Sequence, residues 1–136
     1  MKILIVDDDA IVVQSCMRIL ELEGMEASIA STVEMGTKLL SAEGPTASFD
    51  LILTDVKMPG QDGFEMIRQA REIQPAIPII MMTGYLTSRT MEKNRRYGAD
   101  NYIAKPFTPD ELIDAVRKTT IRHKEEETNE SINADY

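Results

Sequence analysis

The chain has 136 residues, 43% of them hydrophobic and 28% charged, which is long enough for one globular domain with an ordinary core. Its formal net charge of -8 and its pI near 4.7 argue against a surface that grips nucleic acid by its phosphates. One histidine and one cysteine argue against a zinc site and fit a reducing cytoplasm, and no apolar run approaches the length of a membrane span.

The chain opens with a buried strand followed by an amphipathic helix. The segment Lys2–Val6 is apolar after its first residue and is followed directly by aspartates, as expected of a strand buried on both faces. Asp9 is placed to cap the next helix, and Gly24 is placed to end it. The apolar stripe of this helix is predicted to contain Val13, Cys16, Met17 and Leu20.

A shorter strand and a second helix follow. Hydrophobic and polar residues alternate over residues 25–29, which predicts an edge strand. Ser31 and Glu34 have the spacing of a capping box, so the second helix is expected to start there, with Met35 and Leu39 on its inner face.

A third strand delivers a carboxylate to its carboxyl end. After a predicted loop over residues 43–48, the apolar stretch Leu51–Thr54 predicts a buried strand, and Asp55 follows directly. Pro59 and Gly60 then stop the strand. In an open α/β sheet, chemistry collects outside the carboxyl ends of the strands, so the position of Asp55 is informative.

The second half repeats the alternation. Helix three is predicted to begin near Asp62, strand four covers Ile79–Met82 and ends at Thr83, and helix four covers residues 88–97. Helix four is unusually polar, which makes it, strand five and helix five a candidate partner surface. Its charged residues are Arg89, Glu92, Lys93, Arg95 and Arg96.

The last strand and helix have clear boundaries. Asn101–Ala104 predicts strand five, and Lys105 follows it. Thr108 and Glu111 form a second capping box, which starts helix five. We expect a domain over residues 1–122 and a disordered acidic tail or linker over residues 123–136, because that segment has nothing to bury.

Strict alternation of five strands and five helices implies a parallel sheet covered on both faces, a doubly wound α/β fold. In such a sheet the strand ends converge at one crevice, which would bring together Asp7, Asp8, Asp55, Thr83 and Lys105. Clustered carboxylates repel each other and call for a cation, and oxygen ligands without nitrogen or sulfur suit Mg²⁺. A carboxylate beside Mg²⁺ can attack a phosphoryl group.

The chain resembles the response regulator receiver domains of bacterial two-component signalling. The resemblance rests on four motifs, in the right order and spacing, within residues 2 to about 121: Ile3–Asp9, Asp55–Gly63, Met82–Gly84 and Tyr102–Phe107. It implies a flavodoxin-like (βα)5 fold with strand order 2-1-3-4-5. It also implies a cis peptide bond before Pro106 as a frequent family feature.

The resemblance implies roles for the site residues. Asp55 would be the phosphoacceptor, receiving its phosphoryl group from a sensor histidine kinase or a phosphotransfer protein. Asp8, Asp55 and the backbone carbonyl of Lys57 would hold Mg²⁺ or Mn²⁺, with Asp7 acting partly through water. Lys105 would contact the phosphoryl oxygens.

The resemblance also implies a switch. Thr83 would be the switch hydroxyl and Tyr102 the switch aromatic: phosphorylated Asp55 draws in Thr83, and Tyr102 turns into the vacated space. The surface of helix four, strand five and helix five would then change toward a downstream effector. We expect no membrane contact and no direct nucleic-acid binding by this domain, and a homodimer of the phosphorylated form is left open.

Two other functions compete. Asp7 and Asp9 fit the D-x-D signature of haloacid-dehalogenase-type phosphatases, with Asp7 as nucleophile and Asp9 as acid/base. That family also needs an acidic motif after a later strand, where this chain offers Thr83 and Lys105. The other competitor is a receiver that serves as a phosphorylation-independent scaffold, which would have no need to keep the full set of site residues.

Lys57 and Tyr85 stand two residues beyond Asp55 and Thr83, at positions that line the mouth of the site in the family. A long cation and a bulky aromatic should hinder an in-line water, so we expect a long-lived phosphoryl group. Tyr85→Ala should therefore speed its loss, as measured by the dephosphorylation rate. An unchanged rate would contradict this reading of Tyr85.

Overall fold

The computed structural model describes residues 1–42, 48–56, 63–84 and 87–134, with side chains described as far as Glu126. The strands are β1 (Lys2–Val6), β2 (Glu26–Ala30), β3 (Leu51–Asp55), β4 (Ile79–Thr83) and β5 (Asn101–Ala104). The helices are α1 (Ala10–Leu22), α2 (Val33–Ser41), α3 (Gly63–Ile73), α4 (Ser88–Tyr97) and α5 (Pro109–Ala134). Within these described ranges, no helix is both long and apolar enough to cross a membrane.

The five strands form one parallel sheet in the order β2-β1-β3-β4-β5, which confirms the predicted fold. Val6 is in register with Ala30 on one side and with Thr54 on the other. Thr83 is in register with Ala104. Because the strands are parallel and end at matching positions, their carboxyl ends form one edge of the sheet.

The core consists of two apolar layers, one on each face of the sheet. Side chains alternate along each strand, so Leu4 and Val6 pack with α2 and α3, whereas Ile3 and Ile5 pack with α1 and α5. All four of these β1 side chains are fully buried. Burial on both faces explains why the central strands read as continuous apolar runs.

Helix α2 begins one residue later than the sequence predicts. Thr32 is its N-cap, and its Oγ1 accepts a hydrogen bond from the backbone N of Met35 at 3.1 Å, so the prediction of Ser31 as cap is wrong. The buried face of α2 also differs from the predicted one, because Met35 is 46% exposed and Leu39 is only partly buried. The buried residues of this helix are Val33, Gly36 and Leu40.

Helix α5 begins as predicted but does not end as predicted. The backbone N of Glu111 donates to Thr108 Oγ1, and a Glu111 carboxylate oxygen accepts from the Thr108 backbone N, both at 3.2 Å. Instead of becoming disordered after Arg122, the chain continues as helix to Ala134. Lys and Glu are good helix formers, which favours this extension, and its residues His123 and Lys124 line a recess with Phe49. The domain boundary at 122 stays a prediction.

The C-terminal end of α4 is tied to its neighbours through Arg71 of α3. Its guanidinium donates to the carbonyl of Gly98 at 2.6 Å and pairs with Asp100 at 2.8 Å. The same Asp100 carboxylate accepts from the backbone N of Ile79, which starts β4. Gly98 itself has φ of 96°, in the left-handed region that favours glycine, and it ends α4 where the sequence predicts.

The only buried residue of α4 is polar. Asn94 is 1% exposed, and neither of its side-chain amide atoms has a hydrogen-bond partner among the described residues. Asn101, on the neighbouring β5, is fully engaged: its amide nitrogen donates to Thr119 at 3.0 Å, and its amide oxygen accepts from the Tyr102 backbone N at 2.8 Å. An unpartnered buried amide costs about 1–3 kcal/mol of stability.

We expect Asn94→Leu to raise the free energy of unfolding by about 1–2 kcal/mol, because leucine has similar branching and removes the unpaired polar atoms. Urea unfolding at equilibrium measures this change. Asn101→Leu is the matched control and should destabilise the fold, because it breaks two hydrogen bonds. A comparable loss of stability in both variants would show that Asn94 is satisfied in solution.

Candidate phosphoryl-transfer site

Candidate site residues lie at the carboxyl ends of β1, β3, β4 and β5. Asp7 and Asp8 follow β1, Asp55 ends β3, Thr83 ends β4, and Lys105 follows β5. These are the positions that the sequence predicts for a shared crevice. The structure brings Asp7, Asp8, Asp55 and Lys105 into one cluster.

Asp7 is the buried anchor of this cluster. It is 1% exposed, and its backbone N continues the sheet pairing by donating to the Ala30 carbonyl at 3.0 Å. One carboxylate oxygen accepts from the backbone N of Asp9 at 2.9 Å, and the other accepts from Lys105 Nζ at 2.9 Å. A buried carboxylate is tolerated when its oxygens are paired in this way.

Lys105 bridges two of the carboxylates. Its Nζ lies 2.9 Å from Asp7 Oδ2 and 3.2 Å from Asp55 Oδ1. Its backbone N donates to the Thr83 carbonyl at 2.7 Å. The peptide bond to Pro106 is cis, as the resemblance implies.

The charges of this cluster also shift the pKa values of Lys105 and Cys16. Burial alone lowers the pKa of Lys105, but the hydrogen bond to Asp7 and the charges of Asp55 and Asp7 outweigh it, so the pKa is raised above its ordinary value. The ammonium therefore stays charged. The nearby Cys16 thiol has its pKa raised to about 11 by burial and then by the charge of Asp7, with Lys105 acting in the opposite direction. Cys16 is a protonated core residue and not a nucleophile.

Three carboxylates form a candidate metal site. Asp7, Asp8 and Asp55 each offer an oxygen, and these oxygens lie within 4.8 Å of one another. Asp7 is buried, Asp8 is exposed and Asp55 is half-buried, so the group opens toward solvent on one side. Hard oxygen donors with an open side fit Mg²⁺, which retains several water ligands. The backbone carbonyl of Lys57, predicted as a further ligand, lies outside the described residues, as does Tyr85.

Asp9 does not join the three carboxylates. Its Oδ1 accepts hydrogen bonds from the backbone N of Ile11 at 3.0 Å and of Val12 at 3.4 Å, so it is the N-cap of α1, as predicted. A capping carboxylate is committed to the first turn of its helix. This position disfavours Asp9 as the acid/base of a phosphatase.

Thr83 and Tyr102 lie on adjacent strands beside the cluster. Thr83 is 4% exposed at the end of β4. Tyr102 is half-buried on β5, in register with Met81, and packs against the core layer that α2 and α3 cover. The two residues lie on neighbouring strands, β4 and β5, and their switch roles stay predictions.

Gly63 is a positioning residue that the sequence argument assigned no role. Its backbone N donates to the Val56 carbonyl at 2.8 Å, and a Cβ at this position would lie 1.8 Å from the backbone oxygen of Asp55. Only glycine fits so close to the peptide of the central carboxylate. The sequence signal was its place in the Asp55–Gly63 motif, immediately before α3.

Comparisons with known proteins agree on one family. The family model for the response regulator receiver domain matches residues 3–117. Response regulator SaeR of Staphylococcus epidermidis is 35% identical over 115 residues, which cover 82% of this chain and 46% of SaeR. Sporulation initiation phosphotransferase F of Bacillus subtilis is 34% identical over 117 residues, which cover 86% of this chain and 91% of the relative.

A solved structure gives the same result. The CheY-like response regulator receiver domain protein of Methanospirillum hungatei superposes with a TM-score of 0.83 at 35% identity, covering 92% of this chain and 97% of that one. The present chain spans about half the length of several curated relatives it matches, SaeR among them.

If the carboxylates bind Mg²⁺, the ion should raise the melting temperature of the wild type by several degrees, and EDTA should reverse the rise, because a ligand of the folded state stabilises it. Asp8→Asn should abolish most of this response in thermal unfolding. Asp9→Asn is the matched control and should keep it, since asparagine caps a helix as well as aspartate does. Equal loss in both variants would contradict the assignment of Asp8.

Proposed function

The chain belongs to the response regulator receiver domain family, and on this premise we propose that Asp55 accepts a phosphoryl group from a sensor histidine kinase or a phosphotransfer protein. One observation carries the proposal. Lys105 Nζ lies 3.2 Å from Asp55 Oδ1 while it is anchored to the buried Asp7 at 2.9 Å. A fixed cation is thereby held where the phosphoryl oxygens would arrive.

In the transfer step, a carboxylate oxygen of Asp55 bonds to phosphorus as the bond from phosphorus to the donor imidazole nitrogen breaks. The product is an acyl phosphate. The ammonium of Lys105 moves its contact from the carboxylate to a phosphoryl oxygen, and the hydroxyl of Thr83 donates to another. Asp7, Asp8, Asp55 and the Lys57 carbonyl would hold Mg²⁺ or Mn²⁺, which when bound neutralises the charge of carboxylates and phosphoryl oxygens.

The phosphorylated site acts as a switch. Movement of Thr83 toward the phosphoryl group opens space at the end of β4, and the half-buried Tyr102 turns into it. Each new charge-assisted hydrogen bond contributes about 1.5–3 kcal/mol. Such a difference moves a two-state equilibrium by roughly one or two decades.

The output of the switch is the surface formed by α4, β5 and α5. Tyr102 lies on β5, in register with Met81 of β4, and α4 buries only one of its own residues. A downstream effector or a further domain of a longer protein would read the change. The proposal also takes residues 1–122 as the receiver domain, a cytoplasmic location in keeping with the free thiol of Cys16, and no direct contact with nucleic acid.

Two features support this function over its competitors. Asp9 caps α1, which leaves a phosphatase mechanism based on Asp7 and Asp9 without its acid/base. Asp7, Asp8, Asp55 and Lys105 come together in one cluster, which a phosphorylation-independent scaffold would not require.

Intact-mass measurement after incubation with acetyl phosphate and Mg²⁺ tests the proposal. We expect a single phosphoryl adduct on the wild type, its absence in Asp55→Asn and in EDTA, and its presence in the control Asp9→Asn. A chain without an adduct is titrated with beryllofluoride, which mimics the phosphoryl group. An adduct that survives in Asp55→Asn, or no response to either reagent, would contradict the proposal.

A further inference from the structure

Helices α3 and α4 are joined by two aromatic rings and an ammonium group. The rings of Phe64 on α3 and Tyr97 on α4 have their centroids 5.0 Å apart and an interplanar angle of 42°. Lys93 Nζ lies 4.4 Å from the centroid of the Phe64 ring. Lys93 and Tyr97 are four residues apart, so both come from one side of α4. We name these three residues the α3–α4 clasp.

The clasp has a buried half and an exposed half. Phe64 is 5% exposed and belongs to the core layer that α2 and α3 cover. Tyr97 is 41% exposed, and Lys93 is exposed as well. A tilted pair of rings and a cation over a ring face are both attractive contacts. The contribution of α4 to the clasp can therefore be removed by substitution without opening the core.

The buried half of the clasp directly follows the residue that packs against Asp55. The backbone N of Gly63 donates to the Val56 carbonyl at 2.8 Å, and a Cβ on Gly63 would lie 1.8 Å from the backbone oxygen of Asp55. The start of α3 is thus in close contact with the Asp55 peptide, and packed groups transmit displacement to one another. A shift of that peptide moves Gly63 and, with it, Phe64.

The clasp is formed in the arrangement that precedes phosphoryl transfer. Lys105 Nζ lies 3.2 Å from the Asp55 carboxylate, whereas in the proposed function this ammonium moves to a phosphoryl oxygen. Tyr102 is half-buried on β5 in the same arrangement. A contact that is made in one of two arrangements stabilises that one.

We propose that the α3–α4 clasp is an autoinhibitory contact, which holds α4 in its position before transfer and is released from the Asp55 side through Gly63. This inference rests on the proposed function, because the event that the clasp opposes is phosphorylation of Asp55. It adds a route from Asp55 to α4 that is separate from Thr83. The strength of the clasp then sets how readily the chain is activated.

A contact that only packs α3 against α4 has a different consequence. Such a contact stabilises both arrangements equally, so the affinity for a ligand that selects one of them does not depend on it. By linkage, a contact made in one arrangement alone opposes binding of a ligand that selects the other. Beryllofluoride affinity therefore distinguishes the two roles, which unfolding stability does not.

The test is an NMR titration of the full chain with beryllofluoride in the presence of Mg²⁺, following the backbone amides of Gly63 and of α4. Lys93→Gln removes the cation of the clasp, and Tyr97→Leu removes its outer ring. We expect each substitution to tighten beryllofluoride binding roughly two- to fivefold, because the ligand no longer works against that contact. Loss of a positive charge alone would weaken binding of an anion, so tighter binding in Lys93→Gln has the opposite sign from a charge effect.

Matched variants control for structure and charge. Lys93→Arg keeps a cation over the ring and Tyr97→Phe keeps the ring pair, so both should bind beryllofluoride as the wild type does. Arg95→Gln removes an exposed cation from the side of α4 that faces β5 and α5, and it should not tighten binding. Urea unfolding verifies that each variant is folded.

The separate route is tested in a Thr83→Ala chain, which lacks the switch hydroxyl. Adding Tyr97→Leu should tighten beryllofluoride binding by the same factor in this chain as in the wild type, because independent contributions to a free energy add. Disappearance of the factor in the Thr83→Ala chain would overturn the route through Gly63.

The remaining outcomes separate this inference from the proposed function. A wild type that binds beryllofluoride, with the same or weaker binding in Lys93→Gln and Tyr97→Leu, would overturn the clasp as an inhibitory contact and leave the proposed function standing. A wild type that does not respond to beryllofluoride would contradict the proposed function, and the inhibitory clasp would fall with it.

Discussion

The ammonium of Lys105, held between two carboxylates, is the interaction on which the site depends. Asp7 is buried, and a buried carboxylate needs a partner; Lys105 is that partner at 2.9 Å while its Nζ also lies 3.2 Å from Asp55. One ammonium cannot neutralise Asp7, Asp8 and Asp55 together. The remaining negative charge is what makes the cluster fit a divalent cation and, beyond it, a phosphoryl group. The parallel sheet positions these charged side chains together at one edge.

Much of this arrangement could be predicted from the sequence because parallel strands end together. The apolar runs indicate where each strand ends, and residues directly after parallel strands lie at the same edge of the sheet. The sequence therefore predicts that Asp55 and Lys105 lie near each other. Helix boundaries with a unique capping signal, such as Thr108 with Glu111, were also predicted correctly. The cap of α2 was not, because Ser31 and Thr32 are adjacent and both can cap; moving by one residue turned Met35 outward.

The features that sequence could not predict depend on contacts between distant segments. The need for glycine at position 63 arises only because the chain returns to the Asp55 peptide after β3. The helical extension beyond Arg122 is a second example, and its residues His123 and Lys124 line a recess together with Phe49, which is distant in sequence. The sequence also does not predict the unpaired amide of Asn94, because an asparagine in a polar helix is expected to be exposed to solvent.

A crystal structure of the chain with beryllofluoride and Mg²⁺ tests the central claim most directly. We expect beryllium to be bonded to an Asp55 carboxylate oxygen, with Lys105 Nζ and the Thr83 hydroxyl in contact with its fluorides. We also expect Tyr102 to be turned inward and the surface of α4, β5 and α5 to be reshaped. Beryllofluoride on Asp7, or on Asp55 with Thr83, Tyr102 and α4 unchanged, would contradict the account.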